Sequence, residues 1–391
     1  MIELIVNKSK EEKTIAAIEN GKLVEIYEEN EQSSKARNEG NIYLGIVKDI
    51  VPGMQAAFVD IGTEKNSFIH VKDVVPQVDE KVEKRIDTKI KDVIKAGEKI
   101  LVQIQKDSND KKGARTSTHI KLTGKYVVLM PNTNIVTISQ KIENESERER
   151  LLKIIRKALP ENTGAIVRTA AVKKNEEELK EDLEQLLSKW KKIKEKFDNA
   201  PSKSQLLYKS PSILEKIILD LPENRIEKIM VNDKDEYREI SEMLKEMDEK
   251  IKVEIHENIL EKYELEKQIE KSKQRKVWLN CGGFITIDQT EALVAIDVNS
   301  GKFTGKSTLE ETVYQVNYEA TIEIAKQLRL RDIGGIIIID YIDMQKEENK
   351  EKIEELLKES LKQDRSKTQV EGFTKLNLME LTRKHICSHN S

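Results

Sequence analysis

The sequence predicts an α/β multidomain protein. A small β-barrel and a mixed segment interrupt one domain, and an acid-bearing α/β unit follows. Three observations carry this reading. Short strand-like runs crowd residues 42–104, with turn signals between them. The strand-like first 35 residues are too few to close a core, so they need partners later in the chain. Two apolar runs, 293–296 and 336–339, each end in an aspartate and flank one amphipathic helix.

The length of 391 residues suffices for two to four domains and a sizeable core. A net charge of −3 removes any global basic signature, yet 68 basic residues against 71 acidic ones leave room for strong local patches. Two cysteines, Cys281 and Cys387, cannot build a disulfide framework or a Cys-x-x-Cys zinc site. The ending His385-Ile386-Cys387-Ser388-His389 suggests metal binding only superficially, and a frayed tail is the preferred reading. The N-terminus lacks the basic-then-apolar pattern of a signal peptide, and no apolar run reaches the length of a membrane span. A cytoplasmic protein is expected.

In residues 1–35 the alternation of Ile2, Leu4 and Val6 is followed by runs at 14–18 and 23–27. Asn20-Gly21 between those two runs is a strong hairpin signal. Residues 36–118 hold short strands near 42–47, 54–62, 67–70 and 97–104, with a charged, helix-prone insert before the last; this spacing resembles an S1 barrel of the oligonucleotide-binding type. Such barrels stack bases on exposed aromatics beside a basic groove. Phe58 and Phe68 are the candidate platforms, with ordinary barrel core as the competing reading. Basicity favours binding, because residues 101–125 hold six Lys/Arg against two acids.

Residues 119–213 mix strands near 126–131 and 164–169 with a charged helix over 176–197. That helix is read as a solvated outer face without function. Residues 214–275 return to alternating helix and strand, and their strands near 226–231 and 251–255 are the expected partners of the N-terminal strands. A charged helical connector, 257–276, leads into the last unit, 276–391.

In that unit Leu309, Val313, Val316, Ala320, Ile324 and Leu328 recur at helical spacing. Ser307 and Glu310 supply a capping box, and Gly334-Gly335 break the chain before the next strand. A strand–helix–strand unit of this size makes a right-handed crossover between parallel strands. Asp297 and Asp340 then fall at the same sheet edge, and Asn299 points the same way if its strand persists. Each aspartate alone is adequately explained as a cap on the loop after its strand. Together with Asn299 they make an oxygen-only set, without a histidine or cysteine cluster, suited to Mg²⁺ or Mn²⁺. Asp343 is either a supporting acid or a solvated loop residue; the second is favoured.

Five stretches in order, GARTSTHIKLTGKYVVLMP (113–131), IVRTA (166–170), IDVNSGKFTG (296–305), QLRLRDIGGIIIIDYIDM (327–344) and NLMELTRK (377–384), resemble the bacterial ribonuclease E/G family across nearly the whole chain. The resemblance implies a Mg²⁺-dependent endoribonuclease that cuts single-stranded RNA and leaves a 5′-phosphate on the downstream product. It implies metal ligation by Asp297 and Asp340, with Asn299 positioning the site. Phe58, Phe68, Lys106 and Lys112 match RNA-contacting positions. Gly124, Val128, Arg168 and Thr169 match a pocket for a 5′-monophosphate end, and a further arginine of that pocket falls on Lys367, which keeps the charge but not the fork.

By the same resemblance, residues 1–35 plus 214–275 form a ribonuclease-H-like discontinuous domain, and 119–213 is the 5′-sensor. Residues 276–391 form a deoxyribonuclease-I-like catalytic domain. The family's Cys-Pro-x-Cys zinc-sharing segment and small dimerisation domain are not matched up to Ser391, so no zinc is expected; a homodimer through the catalytic domain stays open. An RNA-binding scaffold with weakened catalysis is the alternative, separable by binding without metal-dependent cleavage. A deoxyribonuclease is poorly supported.

Overall fold

A computed structural model describes the chain except residues 11, 31–37, 75–87, 109–111, 222–224, 248–249, 303–307 and 387–391. It divides into two compact units, Met1–Glu31 with Glu223–His389, and Gln32–Pro222.

In the first unit the N-terminal strands find the partners their sequence demanded. Ile2–Lys8 pairs in parallel with Ile226–Val231 and antiparallel with Glu12–Glu19. Lys252–Ile255 and Lys22–Asn30 complete a five-stranded sheet. Asn20 and Gly21 adopt φ 52° and 74°, the positive values a two-residue type I′ hairpin requires. Tyr27 and Glu25 are nearly buried. Arg365 Nη2 donates to Glu25 Oε2 at 2.6 Å and to Tyr27 Oη at 2.8 Å, tying this sheet to a segment more than 300 residues away in sequence.

The second sheet of this unit has the strand order Lys276–Trp278, Phe284–Gln289, Val294–Asn299, Gly335–Asp340, Leu378–Arg383, Thr368–Phe373. Val294–Asn299 and Gly335–Asp340 are parallel, joined by the helix Leu309–Leu330. Val313, Val316, Ala320, Ile324 and Leu328 of that helix share a core with Val294, Ile296, Val298, Ile337 and Ile339, and with Ile353, Leu357 and Leu361 of the helix Glu347–Leu361. The other face of the sheet is open. Ala295 and Asp297 are exposed, and Ile336 is 52% exposed. The apolar runs are therefore half-buried strands, not fully buried ones, because both helices share one core.

Leu309, read as part of the apolar stripe, is 77% exposed at the first helical position. The cap also lies one residue further on than the sequence suggested. Thr308 Oγ1 accepts from Glu311 N, and the Glu311 carboxylate accepts from Thr308 N. Ser307 lies outside the described residues. Glu310 instead accepts from Gln345 N and Lys346 N, at 3.0 and 3.2 Å, and holds the loop after the second acid. The tail reading fails for His385 and Ile386: the His385 Nδ1 lies 2.8 Å from Asp332 O, and Ile386 N donates to the Asp332 carboxylate.

In the second unit a barrel closes through Ile42–Val51, Ala56–Asp60, Ser67–His70, Arg115–Ser117 and Lys99–Lys106, the last pairing back onto the first. Gln205–Tyr208 adds to Ile42–Val51. The mixed segment forms a sheet in the order Val136–Ile138, Thr163–Val167, Val127–Pro131, Leu122–Thr123, flanked by the helices Glu145–Ala158 and Glu176–Asn199. The shorter helix, its apolar positions diluted by charge, is absent from the sequence reading. The helix Ile213–Asp220 also belongs to this unit, so the return to the first unit comes near 223 and not at 214. Among the described residues no helix is long and apolar enough to cross a membrane.

Candidate metal centre and nucleic-acid interface

The parallel pair sets Asp297 directly opposite Asp340 in register. Paired residues on neighbouring strands share a face and stand about 5 Å apart, so both carboxylates rise from the open face of the sheet near its strand ends. The strand persists to Asn299, whose Nδ2 donates to Asp297 Oδ2. Among the described residues neither carboxylate has an ion-pair partner within salt-bridge distance. Desolvation holds the Asp340 carboxyl above its ordinary pKa, and the charges of Asp297 and Asp343 add to the effect. Asp343 itself is exposed in the following loop. Two adjacent acids without an ion-pair partner among the described residues, beside an amide, are a donor set that suits a hard divalent cation. Among the described residues no three His, Cys, Asp or Glu side chains gather as a chelating group. The pair would leave most of a cation's coordination to water and substrate.

On the barrel, Phe58 and Phe68 lie opposite each other in register with ring centroids 6.1 Å apart, edge to face. Neither belongs to the barrel's core, which Val47, Val59, Ile69, Val102 and Ile104 fill. The row continues. Phe68 pairs with Arg115, and Arg115 with Lys106. Four strands thus present two aromatics and then two cations in one line, the combination that single-strand binding surfaces use. Arg115 was counted in the basic run but not singled out. Its Nη2 donates to Asp73 Oδ2 at 2.8 Å, which fixes the guanidinium. Lys112 is exposed on the loop entering Arg115–Ser117.

In the mixed segment Arg168 and Gly124 meet directly; Thr169 follows Arg168, and Val128 pairs with Thr123, the residue before Gly124. Arg168 Nη1 donates to Gly124 O at 2.6 Å and to Leu219 O at 3.1 Å, and Nη2 pairs with Asp220. Thr169 Oγ1 lies 3.1 Å from Ser139 Oγ. The charged helix is more than a solvated face. Asp182 accepts the backbone N–H groups of Lys125, Tyr126 and Val127, each at 2.9 Å. A Cβ on Gly124 would come 2.5 Å from Asp182 Oδ1, so only glycine lets this turn settle on the helix. Asp182 escaped the sequence reading because a single acid in a charge-rich helix carries no local signal, and Asp220 because one acid closing a short apolar helix reads as an ordinary helix end. Lys367 lies in the other unit, exposed before Thr368–Phe373.

The family model described as Ribonuclease E/G family matches residues 121–386, and the S1 RNA binding domain model matches residues 37–119. The chain is 40% identical over 392 residues to Ribonuclease G of Haemophilus influenzae, covering 98% of this chain and 79% of that protein. Ribonuclease G of Escherichia coli K12 is 39% identical over 391 residues, with the same coverage. Ribonuclease E of Nostoc sp. is 37% identical over 354 residues, 88% of this chain and 51% of that protein. With most of its length matched by the family model and nearly all of it by these relatives, the chain belongs to the ribonuclease E/G family.

Proposed function

We propose that this protein is a metal-dependent endoribonuclease. It hydrolyses phosphodiester bonds in single-stranded RNA, in ribosomal and transfer RNA processing and messenger RNA decay in the cytoplasm. The observation that carries the reading is the register pair Asp297–Asp340 on an open sheet face, with Asn299 bonded to the first acid. The relatives' names point the same way. Two carboxylates and an amide fit Mg²⁺, or Mn²⁺, better than zinc, which prefers the thiolates and imidazoles this site lacks. When bound there, the cation supplies Lewis acidity toward the phosphate and a water of lowered pKa. The amide of Asn299 orients the Asp297 carboxylate. The barrel row Phe58, Phe68, Arg115 and Lys106 holds unpaired nucleotides by stacking and charge.

A preference for 5′-monophosphate ends belongs to the same proposal. The Arg168 fork beside the Gly124 turn, with Thr169 next to it, suits a doubly charged phosphate. Asp220 already pairs with that fork, so an incoming phosphate must compete with a carboxylate. The same reading gives the domain of the first sheet a ribonuclease-H-like fold and the acid-bearing domain a deoxyribonuclease-I-like fold.

The test is cleavage of a fluorescent single-stranded AU-rich RNA in Mg²⁺ by the parent, Asp297→Asn and Asp340→Asn. Losing several kcal/mol of charge stabilisation should cut the rate by about a thousandfold, with RNA affinity in EDTA unchanged. Cleavage within tenfold of the parent in either variant would sink the assignment. Binding by a parent that cuts nothing would favour the scaffold reading.

A further inference from the structure

The open face that carries the acids holds a second feature, which neither the sequence motifs nor the barrel account for. Lys276 pairs with Thr286, and Thr286 with Asp297, so one row runs Lys276, Thr286, Asp297, Asp340 across four strands. Two residues along, Trp278 pairs with Phe284 and Phe284 with Asn299. Residues two apart on a strand share a face. Trp278, Phe284 and Lys276 therefore lie on the same side of the sheet as the carboxylates. Trp278 is two strand spacings, roughly 10 Å, from the strand that carries Asp297.

The local geometry is that of a shelf. The Trp278 and Phe284 rings meet edge to face, with centroids 5.3 Å apart. The Lys276 ammonium sits 4.0 Å from the Trp278 centroid and 3.5 Å from that of Phe284. Trp278 is nonetheless 61% exposed, an unusual position for the largest apolar side chain. Gly301, at φ 59°, brings the turn after Asn299 against the Phe284 ring; a Cβ there would lie 3.4 Å from Phe284 Cδ1 and 2.5 Å from Gly282 O. Arg275, clamped on Asp288, stands next to Lys276 in the chain as a second cation.

We infer that Trp278 and Phe284, with Lys276, form a base-stacking shelf that holds one unpaired RNA base next to the scissile phosphate and so helps to set where the strand is cut. The inference rests on the endoribonuclease reading for its substrate. An exposed indole beside a phosphate-neutralising ammonium matches a nucleotide in both chemistry and sign. Its continuity in register with the acids ties that nucleotide to the reaction.

The experiment uses the full chain. Trp278 and Trp190 are the two tryptophans of the sequence, so Trp190→Phe leaves the shelf ring as the sole indole reporter. In EDTA, an uncleaved single-stranded AU-rich RNA should quench its emission saturably. An abasic residue scanned along that RNA should relieve quenching at one position, close to the cut mapped separately in Mg²⁺. As the reverse control, Trp278→Phe with Trp190 intact should show no such response. In cleavage, Trp278→Leu should raise KM about fivefold to a hundredfold with kcat little changed and the cut position less uniform, and Trp278→Phe should restore most of the loss. RNA that binds by anisotropy without altering Trp278 emission would overturn the inference. So would quenching indifferent to abasic position, or emission that shifts with protein concentration alone, which would mark a second copy on this face. A parent that cuts no RNA removes the nuclease reading, whereas position-dependent quenching still reports the shelf.

Discussion

At the scale of single residues, side-chain geometry matters more than charge count. Arg168 spreads its guanidinium over Gly124 O, Leu219 O and the Asp220 carboxylate, a fork that an ammonium cannot reproduce. Arg168→Lys should therefore collapse the ratio of cleavage rates between 5′-monophosphate and 5′-hydroxyl RNA toward one, leaving the 5′-hydroxyl rate unchanged. Competition kinetics on the two RNAs check this, and a preserved ratio would remove Arg168 from the pocket. That Asp297, Asn299 and Asp340 would meet at one sheet edge was legible in the sequence, because each acid closes a short apolar run and one helical stripe joins the two runs. Asp182 and Asp220 were not. They act on backbone and side-chain groups more than fifty residues away, which no local pattern encodes.

At the scale of elements, buried charge fixes ends that propensity leaves loose. Arg383, on the strand Leu378–Arg383, is fully buried between Asp332 and Asp364, at 2.8 and 2.7 Å. Removing the guanidinium strands two buried acids, so Arg383→Met should cost about 3–5 kcal/mol, read as a lowered denaturation midpoint. On the helix Glu145–Ala158, Glu147 grips Arg150 through both oxygens at 2.8 Å and accepts from Lys173 N. The Arg150 hydrogen bond, then the Lys173 amide, lowers the Glu147 pKa from 4.5 to about 2. A depressed folded-state pKa gives stability that is complete above the unfolded value and fades as pH falls toward 2. Glu147→Gln should thus destabilise the protein at neutral pH and flatten its acid-unfolding profile between pH 4.5 and 2. An unchanged profile would show that the clasp contributes nothing. The one-residue shift of the cap from Ser307 to Thr308 has a similar origin: both residues have the same capping chemistry, and Glu310 is drawn away to the loop at 345–346.

For the whole molecule, a net charge of −3 means that RNA affinity must come from local rows and not from a global field. The barrel row is the proposed one, with Lys106 in no ion pair among the described residues and Arg115 held by Asp73. Each phosphate contact to a single strand steepens the dependence of log affinity on log salt by about 0.7. Lys106→Ala should flatten that slope by about this amount. Arg115→Ala should flatten it less, since Asp73 already offsets part of its charge. Fluorescence titrations over a salt series measure both, and identical slopes in all three proteins would place the contacts elsewhere.

The sequence by itself determined the strand-rich barrel, the crossover that sets two acids in register, the hairpin at Asn20-Gly21 and the need of the N-terminal strands for distant partners. All of these follow from short-range periodicity and turn chemistry. Tertiary structure alone decided which face of the acid-bearing sheet stays open, that Phe58 and Phe68 stand outside the barrel core, and that Trp278 and Phe284 join the acids. Those outcomes depend on strand order and on which side the helices pack, and pairing between strands far apart in sequence leaves no trace in any one of them.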